Sequence, residues 1–342
     1  MENARLNRWG APILLGISLL LWGAVYLSSS AIESLALQVA HPFEDFGLQT
    51  YHWECPLWLL TASWMGANTP QAYRLWSELM AGSAVVLTVF LAHRRWGPLW
   101  GRMVVVSPIT YVLMTWVGLE DPFTVMVTAL CLWGEAGWEL ALAGFLGAMN
   151  HQAAAIAGSF VIVLRMLMWK DYDGLPSWIA AWWPAGVVTG LVANMLIGPL
   201  DGTRLGYIWA HPLGYWLDMS AQQFPMFLYT AAFALWVPAV WVVWRYFAEA
   251  PRFYAAFLTA AVVSLGLTLF TLDSTRVFAL LMWAPLLLAL RKGEIISKYW
   301  GSGRDQLYRD ALWATSWAGI LVPRFCIGSG TVMCLYFLEV LR

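Results

Sequence analysis

The stretch "VVVSPITYVLMTWVGLEDPFTVMVTALCLW" (residues 104–133) sets one apolar run, two adjacent carboxylates and a second apolar run end to end. Each run is long enough to be buried, and Glu120 and Asp121 stand between them with no basic residue nearby in sequence. A carboxylate in such surroundings is costly unless it lies at a helix end that faces water, a cavity or a partner charge. The pair therefore marks a turn at a membrane face, with a helix on either side.

The rest of the chain repeats this pattern. Charged residues make up 11% of the 342 residues, against roughly a quarter in a typical soluble domain. Apolar residues reach 61%, and there are 24 tryptophans. Apolar runs recur at 11–27, 79–92, 103–119, 122–133, 140–149, 153–169, 178–200, 224–244, 253–272, 277–290, 311–322 and 325–340. The expected fold is all-α, a polytopic integral membrane bundle of about 10–12 transmembrane helices, with 122–133 and 140–149 short enough to form a re-entrant pair. Residues 1–342 are expected to form a single transmembrane domain with two long loops, 28–78 and 201–223, on the extracytoplasmic side.

Charge sets the expected orientation. With Arg5 and Arg8 in the cytoplasm, only Arg74, Arg204, Arg276 and Arg324 of the 19 basic residues fall outside, leaving 19 − 4 = 15 inside. The outer face collects ten acidic residues, so its balance is 4 − 10 = −6. The net charge of −1 and the lack of any basic block give no sign of a nucleic-acid partner. Cys55, Cys131, Cys326 and Cys334 show no CxxC or Cys/His spacing, and predict neither a metal site nor a disulfide. Glycines form no phosphate-binding loop of the soluble nucleotide folds.

The chemistry-bearing residues on the expected outer face are few. Glu44 and Asp45 lie in the first loop, Glu120 and Asp121 in the turn after 103–119, and Asp273 and Arg276 in "LDSTR". Arg204, His52 and His151 complete the set. A guanidinium suits phosphate oxygens through its planar fork of donors. Carboxylates on separate turns suit proton abstraction or a hard divalent cation, for which Asp45 with Glu120 or Asp121 are the candidate ligands.

The order of "FEDF" (43–46), "YHWECPLWLL" (51–60), "YRLWSELMAGSAVVLTVFLAHRRWG" (73–97) and the stretch quoted at the outset resembles the C-type (GT-C) superfamily of polyprenyl-phosphate-dependent glycosyltransferases. The resemblance covers residues 11–170. It implies an integral-membrane enzyme that takes a sugar from a polyprenyl-phosphate carrier, with Asp45 or Glu44 as general base. For the departing phosphate the expected outer cations offer Arg276 first and Arg204 next; Glu120 and Asp121 bind a metal, hold the acceptor or position Arg276, and Asp273, His52 and His151 are the further candidate substrate contacts. The sugar and the acceptor stay open, as does any metal requirement. Transport of a lipid-linked or polar substrate is the competing reading.

Overall fold

The structure is a computed structural model that describes residues 10–19, 29–42, 55–115, 117–171, 173–197, 235–268, 274–321, 325–328 and 331–334. Its helices are α1 (Gly10–Leu19), α2 (Ser29–Ala40), α3 (Pro56–Trp64), α4 (Pro70–Trp96), α5 (Pro98–Val105), α6 (Pro108–Thr115), α7 (Asp121–Trp133) and α8 (Gly137–Asn150). They continue as α9 (Gln152–Leu167), α10 (Ser177–Ala180), α11 (Trp182–Ile197), α12 (Trp236–Tyr246), α13 (Pro251–Thr268), α14 (Ser274–Tyr299) and α15 (Ser302–Leu321). One antiparallel hairpin, β1 (Phe325–Gly328) with β2 (Thr331–Cys334), stands where an apolar helix was expected from 325 onward.

Three helical stretches, Pro70–Trp96, Ser177–Ile197 and Pro251–Thr268, are long and apolar enough to cross a membrane. Their outward faces carry bare aliphatic side chains: Leu79, Val86 and Phe90 on α4, Val188, Val192 and Met195 on α11, and Val262 on α13. Exposed apolar area of that extent is what a lipid environment accepts and water does not. At the centre lies α14, whose residues Val277–Leu290 are buried on every side against α6, α7, α9, α12 and α13. A helix apolar all round belongs at such a position.

Two boundaries differ from the sequence expectation for clear reasons. The helix expected to start at 79 starts at Pro70, because Thr69 caps it, its Oγ1 accepting from the Ala72 amide at 3.3 Å, and proline fits the first turn. The stretch between α1 and α4 is correspondingly shorter than expected, and holds α2 and α3. The single run 103–119 splits into α5 and α6 at Ser107–Pro108, where proline has no amide hydrogen to continue the ladder.

The closest packing joins α8 and α11. A Cβ on Gly186 would meet the Ala141 carbonyl oxygen at 2.0 Å, one on Gly190 the Phe145 oxygen at 2.5 Å, and one on Gly144 the Trp183 oxygen at 2.6 Å. Contacts advance in step along both helices (141 with 186, 145 with 190), so the pair is parallel. "GVVTG" (186–190) is thus a GxxxG surface that lets backbones touch.

Charged side chains gather at two ends of the bundle. Arg276 at one end of α14 joins Glu120 and Asp121, while Arg291 and Glu294 near the other join Asp173, Lys298 and Arg309. Fifteen residues of helix from Arg276 to Arg291 separate the two layers by about 22 Å. Residues expected outside and residues expected inside therefore fall at opposite ends of the same helices.

Gly186→Ala should destabilise the protein by about 1–3 kcal/mol through forced helix separation, whereas Gly16→Ala, in the interior of α1 with nothing within 4 Å of its added carbon, should stabilise it by up to about 1 kcal/mol. Thermal unfolding in detergent compares the two.

Candidate functional site

Arg276 lies in the first turn of α14 and is 2% exposed. Its Nε donates to Asp121 Oδ2 at 2.7 Å and its Nη2 to Asp121 Oδ1 at 2.7 Å, a two-point fork on one carboxylate. Nη2 also donates to Glu120 Oε1 at 2.9 Å. Glu120 and Asp121 are as deeply buried as the arginine. They occupy the N-cap and first position of α7, where negative charge is favoured by the unpaired amides of the helix start.

The turn that presents them is held from several sides. Gly118, with φ +123°, takes a backbone conformation that side chains resist, and its carbonyl accepts from Tyr73 Oη at 2.5 Å. Trp58 Nε1 donates to the same Tyr73 oxygen at 2.9 Å, so α3 and α4 both reach the turn. Asn150 Nδ2 donates to the Glu120 carbonyl at 3.3 Å and to Thr124 Oγ1 at 3.1 Å, bringing the end of α8 to the start of α7.

His151 caps α9. Its Nδ1 accepts from the Ala153 amide at 3.1 Å, which leaves the proton of a neutral ring on Nε2. That nitrogen faces Glu120 Oε1 at 3.8 Å. Cys55 caps α3, and its sulfur, a Glu120 oxygen and a His151 ring nitrogen lie within 4.8 Å of one another. Three helices therefore begin around one point, and each start carries up to about half a positive charge. The start of α14 adds a further half charge and the end of α8 at Asn150 removes as much, so with Arg276 added and Glu120 and Asp121 subtracted the local balance is about +0.5.

The expectation of a hard cation on Asp121 meets a specific obstacle, since both Asp121 oxygens already accept from Arg276. The thiol, imidazole and carboxylate that do approach one another form a softer set of the zinc kind. A metal on His151 Nε2 would need the ring proton on Nδ1, in place of the Ala153 hydrogen bond that caps α9. These residues do not fit a resident metal.

Of the residues singled out from the sequence, Glu120, Asp121, His151 and Arg276 come together. Glu44, Asp45, His52, Arg204 and Asp273 lie outside the described residues. Cys55, Tyr73 and Asn150 were not anticipated. Tyr73 and Asn150 have no sequence signal, whereas Cys55 directly precedes Pro56 at a helix start, which marks it as a cap. No family model, curated protein or solved structure matches the chain, so its chemistry rests on the site's own atoms.

Arg276→Ala would leave two buried carboxylates uncompensated and should cost about 3–5 kcal/mol. Adding Asp121→Asn to that variant should return part of the loss, because one of the two stranded charges is removed. Thermal unfolding of the single and double variants decides it.

Proposed function

We propose that this chain is a polytopic membrane glycosyltransferase, with about 10–12 membrane crossings. In this reading its N-terminus is cytoplasmic, and it moves a sugar from a polyprenyl-phosphate donor to an extracytoplasmic acceptor. The observation that carries the reading is the buried Arg276, fixed by a carboxylate fork where three helices start. A guanidinium set among helix N-termini is a phosphate-recognising arrangement with little left to reorganise when charge develops.

In this reaction Asp45 or Glu44 takes the proton of the acceptor hydroxyl as its oxygen bonds to the anomeric carbon. The bond from that carbon to the phosphate oxygen breaks, and the phosphate leaves with the electron pair. Arg276 holds the added negative charge, with Arg204 as the second candidate for that role. Glu120 and Asp121 act by positioning Arg276. His151 Nε2–H is a further donor within reach of the same region. The bare aliphatic faces of α4, α11 and α13 offer an apolar path for the polyprenyl chain.

Transport of a lipid-linked or polar substrate is favoured by one observation, the closed ion cluster linking α7 to α14, since paired charges at membrane depth also serve as gates. The two readings separate in one assay. Purified protein is incubated with radiolabelled polyprenyl-phosphate sugars and acceptor extracts, comparing wild type with Asp45→Asn and Arg276→Lys. Loss of transfer by about 100-fold or more in each variant, with folding intact, is the expected result. Transfer that survives both substitutions overturns the site, and flux into sealed vesicles without transfer favours transport.

A further inference from the structure

At the end of the bundle opposite Arg276 lies a cleft of about 290 Å³, which the proposed transfer reaction does not use. Its floor is Arg165, 3% exposed, at the end of α9. Arg165 Nη1 donates to the carbonyls of Cys131 and Gly134 at 2.7 Å each, and Nε to the Asp173 carbonyl at 3.2 Å. All three acceptors are main-chain groups, and the described residues offer Nη2 no hydrogen-bond acceptor. The nearby carboxylates are committed elsewhere: Asp173 to Arg291 at 2.7 Å and to Trp96 Nε1 at 2.7 Å, and Glu135 to Arg95 at the rim. Asp173 and Glu135 act on Arg165 through space but neither carboxylate bonds it, so the cleft holds a buried guanidinium with one donor nitrogen unused.

Its walls are the rings of Trp96 and Trp133 with Leu175 and Ile179. Close in sequence to the lining residues Glu135, Pro176 and Ile179, the indoles of Trp138, Trp178 and Trp182 are exposed, and exposed tryptophans of this kind mark the depth of lipid headgroups. A buried guanidinium with an unused donor under apolar walls, close to exposed indoles, matches an anionic group that carries its own hydrocarbon.

We propose that this cleft binds the phosphate headgroup of an anionic membrane lipid, with Arg165 Nη2 donating to a phosphate oxygen and the acyl chains leaving past Ile179. The site is separate from the transfer site by about the length of α9, some 21 Å, and does not depend on that reading.

The test is equilibrium binding to the purified full chain in a neutral maltoside detergent. The probes are dihexanoyl phosphatidic acid, dihexanoyl phosphatidylcholine and inorganic phosphate. Wild type should bind the phosphatidic acid at one saturable site and the phosphatidylcholine far more weakly. Arg165→Gln, which removes the donor, and Ile179→Trp, which fills the cleft without touching the Arg165 hydrogen bonds, should each weaken binding about tenfold or more. Arg245→Gln, a surface change on α12, should leave it unchanged. Should Arg165→Gln not fold, Ile179→Trp decides alone. Phosphatidic acid binding that is indifferent to Ile179→Trp overturns the site, and inorganic phosphate bound as tightly as the lipid overturns the lipid assignment.

Discussion

Arg276 grips Asp121 with two nitrogens and reaches Glu120 with one of them, out of contact with water. Each of these three charges loses several kcal/mol of hydration on burial. The loss is offset only because the fork is matched, the acids sit on helix starts, and Tyr73 and Asn150 hold the turn that presents them. The same contact fixes the height of α14 against α7. Sliding that central helix by one turn would strand all three charges in an apolar core, so the register of the whole bundle follows from this pairing.

The two polar layers are built differently. At the Arg276 end the positive member is single and the backbone starts of α3, α7 and α9 supply the remaining positive potential. At the other end Arg291, Lys298, Arg309 and the Trp100 indole gather around Glu294, and Asp173 shares Arg291. The first arrangement uses fixed dipoles, which need no rearrangement when a ligand's charge changes. The second uses long flexible side chains, partly exposed, and suits anchoring at an interface.

Much of this was legible in the sequence because charge is so scarce in it. Glu120, Asp121 and Arg276 stood out against apolar runs, and pairing turns by expected membrane depth brought them to one end, where the structure has them. The sorting of charges to the two ends of the helices was legible for the same reason. Backbone-level features were less so. "NTP" before α4 is a cap signal, but continuous hydropathy does not show where a helix starts, only where it is buried. Cys55 was judged by cysteine spacing, whereas its position depends on Trp58 and Tyr73 folding α3 back onto the turn at Gly118. The GxxxG surface of α11 was hidden because glycine adds little to hydropathy, and its meaning lies in which backbone approaches it.

That last surface has a bearing on how the chain is assembled. Because α8 and α11 point the same way, the chain must travel back along α9 before α11 can lie against its partner, and Ala141 waits for Gly186, 45 positions later, to be synthesised. Until then the small-residue face of α8 is open to any other helix of the nascent chain. In the finished fold that return segment is tied at both ends, capped by His151 at one and bonded through Arg165 to the Cys131 carbonyl at the other.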